Sequence, residues 1–149
     1  MGVVTESVQV ASELDDVWNL FIDPDRWLEW NTELAGMRDV RGPFDRPGRG
    51  YTQVWRMFGI EREGSWRVTG CEPRDWRTVE GVTPIGLAYT ARETFERVGG
   101  HTAVTVQISW TIPGGSIGRS FDAVVGQPLL RRALRANAER IRGVLDGTA

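Results

Sequence analysis

The sequence predicts an α+β fold in which one antiparallel sheet packs against a long C-terminal helix. Three observations support this prediction. Residues 120–145 carry apolar side chains at helical spacing, and residues 36–112 form short alternating segments separated by turn residues. Between the first strand and this region, residues 12–30 carry helical signals. The predicted order is therefore strand, two short helices, six strands and one long helix.

The C-terminal helix is predicted from a single apolar stripe. Past Pro128 its members follow one another at intervals of four, four, three and four residues, and they are Leu130, Leu134, Ala138, Ile141 and Leu145. Arg and Glu fill most of the other positions, so the helix is amphipathic. Pro128 lacks an amide hydrogen and crowds the preceding turn, and we therefore expect a kink near residues 126–128. Gly147 is predicted to stop the helix.

The N-terminal segment predicts a strand and two short helices. Residues 3–11 alternate between apolar and polar, which is typical of a half-buried strand. We expect Ser12 to cap the following helix, with Asp15 and Asp16 in its first turn, where the helix dipole favours negative charge. Pro24 is suited to the first turn of a second helix.

The middle of the chain is predicted to be a meander of strands joined by hairpins. The breaks are rich in Gly, Pro and Asp and are too short for crossovers, so the sheet is antiparallel. The predicted strands are residues 36–41, 51–58, 62–71, 76–82, 87–98 and 102–112.

Length and composition limit the class of protein. A chain of 149 residues is expected to form one domain, residues 1–149. A net charge of −2 gives no electrostatic footprint for nucleic acid, and no window approaches the roughly 18 apolar residues of a membrane span. One cysteine excludes an internal disulfide, and the N-terminus lacks a signal peptide pattern, so we expect a cytoplasmic protein. All eighteen basic residues are Arg, which we interpret as the codon bias of a GC-rich bacterial genome.

Motifs for metals and cofactors are weak, and we expect neither. His101 is the only histidine and follows two glycines, so it is predicted to be exposed at a hairpin tip. The glycine-rich residues 114–118 lack the lysine of a phosphate-binding loop and are predicted to form a hinge. Cys71 has no basic neighbour in sequence and is predicted to be a structural thiol.

Several segments resemble the polyketide cyclase/dehydrase branch of the START/Bet v 1-like (SRPBCC) superfamily. They are V-x-V-A-S-x-x-x-D-V-W-N-L-F-I-D-P-D-R-W-L-E-W at residues 8–30, W-R-V-x-x-C-E-P-x-x-W at 66–76, P-G-G-S-I-G-R at 113–119 and L-R-A-N-A-E-R-I at 134–141. The resemblance implies a helix-grip fold, in which a seven-stranded antiparallel sheet grips the C-terminal helix around a hydrophobic ligand cavity.

For function, the resemblance implies a cofactor-independent polyketide cyclase or dehydrase of bacterial secondary metabolism. The alternative is a non-catalytic binder or carrier of a lipid, isoprenoid or related apolar metabolite. Either protein would take a hydrophobic small molecule as its ligand and act as a monomer or homodimer.

Aromatic residues are the first candidates for the walls of such a cavity, although each of them also suits an ordinary core. With the resemblance, the expected ligand-binding residues are Trp30, Trp55 and Trp110, faced from the helix by Leu130, Leu134 and Asn137. Asn137 lies at the border of the apolar stripe, where it either hydrogen-bonds a ligand carbonyl or belongs to the wet surface of the helix.

The strand at residues 61–69 leaves two alternatives open. Hydrophobicity turns Trp66 and Val68 inward, and this leaves Glu63 and Arg67 in water. The resemblance instead puts Arg67 in the cavity, where an arginine of the family's cyclases is thought to hold a polyketide carbonyl. A slip of one residue in register exchanges the two faces.

The cavity alternative implies a mechanism. Arg67 would stabilise the enolate of an aldol cyclisation, Glu63 would be the base, and Tyr89 would donate a hydrogen bond or simply pack. The family's catalysts also use a cavity tyrosine and a second arginine, and those positions hold Leu34 and Thr83 here.

Overall fold

A computed structural model describes residues 2–31, 34–111 and 127–147, without the side chains of Met57, Gln127 and Leu129. It confirms the predicted order of elements. The strands are Gly2–Val10 (β1), Gly36–Arg41 (β2), Gly50–Met57 (β3), Ile60–Glu72 (β4), Trp76–Val82 (β5), Ala88–Val98 (β6) and His101–Trp110 (β7). The helices are Leu14–Ile22 (α1), Trp27–Trp30 (α2) and Gln127–Asp146 (α3), with a 3₁₀ turn at Pro24–Arg26. The hinge expected at residues 114–118 lies outside the described residues, and the kink expected near residues 126–128 lies partly outside them.

The strands form one seven-stranded sheet in the order β1-β7-β6-β5-β4-β3-β2, and every neighbouring pair is antiparallel. Pairing of β1 with β7 brings the N-terminal strand to the edge on which α3 packs. Arg135 of α3 forms an ion pair with Glu6, and Arg142 donates to the Gln9 carbonyl. The helix therefore runs along β1 in the same direction, and the sheet has an inner face toward the helices and an outer face toward solvent.

The alternation of the strands builds the inner face. Tyr51 pairs with Trp66, Trp66 with Gly81, Gly81 with Tyr89, and Tyr89 with Trp110. These five residues form one row across the sheet. In β4, the register shifts by one residue between Val68 and Gly70, a β-bulge that reverses the alternation for the rest of the strand.

The prediction that Ser12 caps α1 is wrong. The N-cap is Glu13, whose side chain makes no capping hydrogen bond, while Asp15 and Asp16 do lie in the first turn. The Ser12 hydroxyl instead lies 3.0 Å from the Leu145 carbonyl oxygen and 2.9 Å from Asp146 Oδ1. The reason is tertiary, because the end of α3 presents acceptors that the sequence places far away.

Asp146 fastens the C-terminus of α3 to the end of β1. Its Oδ2 accepts a hydrogen bond from the Ala11 amide at 3.0 Å. Desolvation alone would raise the pKa of the Asp146 carboxyl, but the hydrogen bonds from Ala11 and Ser12 outweigh it and lower that pKa. Gly147 follows with a positive φ of 72° and donates to the Gly143 carbonyl, so the predicted helix stop is confirmed.

The predicted apolar stripe of α3 faces the sheet. Ile141 is buried, and Leu130, Leu134, Ala138 and Leu145 are half-buried. No helix within the described residues is long and apolar enough to cross a membrane.

Candidate functional site

An aromatic cluster fills the end of the inner face that lies next to α1 and α2. Trp27 is at its centre, with ring centroids 4.6 Å from Trp30, 5.0 Å from Phe44, 6.0 Å from Tyr51 and 5.1 Å from Trp66. Its indole Nε1 donates to Tyr51 Oη at 2.8 Å. Burial raises the pKa of Tyr51 above its ordinary value, so this hydroxyl stays protonated. Ring-to-ring contacts at these distances are those of a packed core.

A buried ion pair, Arg77 with Glu93, lies against this cluster. Arg77 Nε donates to Glu93 Oε2 at 2.5 Å, and its Nη1 donates to the carbonyls of Phe21 at 2.8 Å and Phe44 at 3.0 Å. The Arg77 side chain is 0% exposed. One guanidinium thus joins β6, the end of α1 and the loop after β2.

Sequence reasoning missed this pair. Arg77 alternates with Val79 and Gly81 along β5, and Glu93 alternates with Ala91 and Phe95 along β6, so both charges occupy inner-face positions. That alternation was the available signal. It was weak, because a charged residue at an apolar position is usually taken as an irregularity of the strand rather than as half of a buried pair.

A second polar group lies on the inner face, farther from α1. Gln53 Nε2 donates to Tyr89 Oη at 3.1 Å, which leaves the Tyr89 hydroxyl hydrogen available for another acceptor. Burial raises the pKa of Tyr89 to about 12, so it is a neutral donor at physiological pH. The Tyr89 ring lies over Gly81, where an added Cβ would approach the hydroxyl to 2.6 Å. Glycine at this position is therefore what admits the ring.

Four buried polar atoms have no hydrogen-bond partner within the described part of the chain. They are Gln53 Oε1, Trp55 Nε1, Trp30 Nε1 and Arg77 Nη2. Native proteins satisfy most buried polar groups, so each exception needs an explanation. Gln53 and Trp55 are two residues apart on β3, so an acceptor and a donor without described partners belong to the same inner face of this strand.

The predicted wall residues lie on the inner side of the molecule. Trp30 and Trp110 are buried at 6% and 4% exposure, and Trp55 is half-buried on the inner face of β3. On α3 the expected contacts are half-buried, namely Leu130, Leu134 and Asn137. The structure thus brings these residues to one side of the sheet, and their contact with a ligand stays a prediction.

The cavity placement of Arg67 and Glu63 is wrong. Trp66 is buried at 7% exposure, and the residues on either side of it therefore point outward. The Arg67 side chain is 64% exposed and pairs with Glu80, its Nε lying 2.6 Å from Glu80 Oε1. Glu63 is 52% exposed and pairs with Arg38. Of the three proposed catalytic residues, only Tyr89 lies on the inner face.

Arg67 borders an open groove of about 520 Å³ on the outer face, where β4 to β7 run side by side. The outward side chains that line it include Ser65, Arg67, Glu80 and Thr90. The groove is open to solvent, and its lining also includes Trp66, Gly81, Tyr89 and Trp110 of the row across the sheet. The Arg67 side chain lies on the outer face and that of Tyr89 on the inner face, so the sheet lies between them.

The remaining candidates are structural or exposed. His101 is exposed beside the Gly99–Gly100 turn, as predicted. Cys71 is half-buried, and burial raises the pKa of its thiol. Leu34 packs against the core. Thr83 forms two hydrogen bonds with Leu87 in the turn after β5: its amide donates to the Leu87 carbonyl, and its hydroxyl accepts from the Leu87 amide. No group of three or more His, Cys, Asp or Glu residues suited to a metal was found among the residues that the structure describes.

Comparison with known proteins identifies relatives of this fold. A family model described as "Polyketide cyclase / dehydrase and lipid transport" matches residues 1–146. No curated protein sequence matches the chain. Among solved structures, protein Ms6760 from Mycobacterium smegmatis has a TM-score of 0.72 at 18% identity, over 99% of this chain and 92% of that one. Ara h 8.0201 has a TM-score of 0.75 at 11% identity, over 98% of each chain.

A third structure comes from a biosynthetic locus. DynU16, a protein in the dynemicin biosynthetic locus, has a TM-score of 0.67 at 21% identity, over 97% of this chain and 47% of DynU16. This chain therefore spans about half the length of DynU16. At such identities the likeness concerns the fold alone.

Proposed function

Because the chain belongs to the polyketide cyclase/dehydrase and lipid transport family, we propose that it binds an apolar small molecule between the inner face of the sheet and α3. The ligand carries at least one oxygen, either a carbonyl that accepts from the Tyr89 hydroxyl or a hydroxyl that can also donate to Gln53 Oε1. The observation that carries this proposal is that two buried polar atoms of the inner face, Gln53 Oε1 and Trp55 Nε1, have no hydrogen-bond partner among the described residues.

The location of the ligand follows from the packing. The end of the inner face next to α1 and α2 is filled by the rings around Trp27. Farther along, at the first half of α3, Leu130 and Leu134 are only half-buried. We therefore place the ligand near the first half of α3, beside Tyr89 and Trp110.

The chemistry of the ligand follows from the polar groups. The Tyr89 hydroxyl and Trp55 Nε1 are donors, and Gln53 Oε1 is an acceptor. A carbonyl oxygen accepts from Tyr89, and a hydroxyl both accepts from Tyr89 or Trp55 and donates to Gln53. Leaving such groups unpaired costs about 1–3 kcal/mol each, so the site favours a ligand that pairs them over a plain hydrocarbon.

Binding or carriage is the function that the geometry supports best, because the inner-face carboxylates of the described strands are all engaged in ion pairs. On the described strands, the inner-face carboxylates are Glu93 and Glu6. Glu93 is paired with Arg77 and Glu6 with Arg135. A lipid, isoprenoid or finished metabolite would be bound without chemical change.

A cyclase or dehydrase is the second candidate, and the family description favours it. DynU16, from a biosynthetic locus, is in keeping with such a role. In this alternative the neutral Tyr89 hydroxyl polarises a ligand carbonyl, and the folded site holds the reacting carbons together. Arg67 and Glu63 take no part in it.

Native mass spectrometry tests the proposal on protein purified without detergent from its own host. We expect a non-covalent adduct of an apolar, oxygen-containing molecule, retained in Arg67→Ala and reduced in Tyr89→Phe. An adduct equally abundant in both variants would contradict the assigned site. A bound polyketide that loses water during incubation, or that keeps its mass but changes its fragmentation pattern, would favour the enzyme, because aldol ring closure alone leaves the mass unchanged. An adduct unchanged in both mass and fragmentation would favour the carrier.

A further inference from the structure

The turn between β3 and β4 presents a bulky aromatic residue to solvent. Met57 pairs with Ile60, so the loop consists of Phe58 and Gly59 alone. Both loop residues have positive φ, 52° for Phe58 and 75° for Gly59, as in a type I′ turn. The Phe58 side chain is 100% exposed, and Ile60 is 57% exposed.

Two unfavourable features coincide at Phe58. A type I′ turn favours Asn, Asp or Gly at its first central position, because a side chain with a Cβ is strained at positive φ. Full exposure also forgoes all the stabilisation that burying the ring would provide. Strained residues that the fold does not need are found at functional sites, so Phe58 is better explained by a contact outside this chain.

The turn projects from the sheet. β3 pairs with β2 no farther than Val54, and β4 begins to pair with β5 at Ser65. Residues 55–62 therefore form a two-stranded finger that pairs with no further strand of the described chain. Three residue pairs beyond Val54 extend it by about 10 Å. Among the described residues, a Cβ added at Gly59 would meet nothing within 4 Å.

The turn after β5 lies beside the base of this finger. A Cβ added at Gly64 would lie 2.5 Å from the Val82 carbonyl oxygen and 3.2 Å from Pro84 Cδ. Ile85 in this turn is 73% exposed. Residues 82–90 contain no charged side chain, although 26% of the chain is charged. Two neighbouring loops at one end of the sheet thus expose apolar side chains.

Close to the tip of the finger, the charged side chains are basic. Within residues 55–60 the single charged residue is Arg56. The nearest acidic residues are engaged, Glu61 with Arg38 and Arg56, and Glu63 with Arg38. Arg62 has no ion-pair partner among the described residues. Aromatic and aliphatic tips with nearby Arg suit the interface of a lipid bilayer, in which Arg stays at the phosphates.

We infer that this end of the protein docks on an anionic lipid membrane, with Phe58, Ile60 and Ile85 inserted into the interface and Arg62 at the headgroups. The exposed groups lie on separate projecting turns rather than on a flat contiguous patch, so they fit a soft lipid phase better than the complementary surface of a protein. This inference does not depend on what the interior binds.

Co-sedimentation with vesicles tests the inference on the full chain without ligand. The probe is phosphatidylcholine with phosphatidylglycerol, and phosphatidylcholine alone is the comparison. The wild-type protein sediments with the anionic vesicles, and Phe58→Asn lowers its partition coefficient roughly tenfold, since one aromatic side chain no longer inserts. Arg62→Gln weakens binding to the anionic vesicles only.

Phe58→Asn also separates function from folding, because Asn-Gly is the preferred sequence of a type I′ turn. Its melting temperature should equal or exceed that of the wild type while its membrane binding falls. Val98→Asn, at an exposed apolar position beside the β6–β7 turn, is the matched control and should bind as the wild type does. Wild-type protein that stays in the supernatant, or equal binding by Phe58→Asn, would overturn the inference. Self-association abolished by Phe58→Asn, without vesicle binding, would assign the finger to a protein contact instead.

Discussion

Replacement of Arg77 by Met removes the charge that holds Glu93 in the core. The guanidinium donates to Glu93, to the Phe21 carbonyl and to the Phe44 carbonyl, all at 2.5–3.0 Å. Met has nearly the same length but no donor, so the variant leaves a carboxylate buried without its partner. Breaking a buried pair in this way costs about 3–5 kcal/mol, and we expect the free energy of unfolding to fall by about 4 kcal/mol.

The double variant Arg77→Met, Glu93→Leu separates the charge from the packing. It leaves no buried charge without a partner, so it should recover at least about 2 kcal/mol of the stability lost in Arg77→Met. Recovery stays incomplete because two backbone carbonyls still lack a donor. Urea unfolding followed by far-ultraviolet circular dichroism measures both variants, provided that the slope with denaturant stays constant. A loss below about 1 kcal/mol for Arg77→Met, the worth of an exposed pair, would refute the assignment of a buried hub.

Three further predictions concern titration and the outer face. Burial raises the pKa of Tyr51 and Tyr89 above the ordinary 10, so above pH 10 the folded state keeps protons that the unfolded state loses. The free energy of unfolding should therefore fall by about 1.4 kcal/mol per pH unit per tyrosine between pH 10 and 12. The chain has two Tyr and no Lys, and tyrosinate absorbance that instead develops fully near pH 10 in folded protein would contradict this burial. Asp146→Asn should lower the free energy of unfolding by roughly 1 kcal/mol at neutral pH. Because the pKa of Asp146 is lowered in the folded state, the difference between variant and wild type should vanish as the pH falls below 3.8 through that pKa. A difference in stability that persists in acid would contradict the role of the carboxylate. Arg67→Ala should change the free energy of unfolding by less than about 1 kcal/mol in the same urea assay, and a larger loss would show that Arg67 is not simply exposed.

Local periodicity predicted most of the fold. The apolar stripe of α3 and the strand alternation each depend on residues a few positions apart, and the hairpin breaks are short, so the antiparallel order followed. The hydrogen bonds of Ser12 to the end of α3 were not predictable in this way, because its partners, Leu145 and Asp146, are more than 130 residues away.

The polar interior was harder to predict for the same reason. The pairing of Arg77 with Glu93 requires that β5 and β6 lie side by side in a given register. For β4, hydrophobicity alone indicated that Trp66 points inward and Arg67 outward, and the structure agrees with it. The resemblance favoured the opposite face, because it assigned the role of the family's cavity arginine to Arg67 without information on which face of β4 this residue occupies. The exposure of Phe58 was not predicted, because residue 58 ends the predicted strand 51–58 and local periodicity does not report how far a hairpin projects from the sheet.

The proposed hydrogen bond from Tyr89 to an oxygen of an apolar ligand inside the protein can be tested directly with two fluorescent probes. They are prodan, a naphthalene that carries one ketone, and dimethylaminonaphthalene, the same ring system without the ketone. We expect the wild type to bind prodan more tightly than the ketone-free probe. Tyr89→Phe should weaken prodan binding roughly fivefold to tenfold, the worth of one hydrogen bond, and leave binding of the ketone-free probe unchanged. Equal losses for both probes, or none, would contradict it.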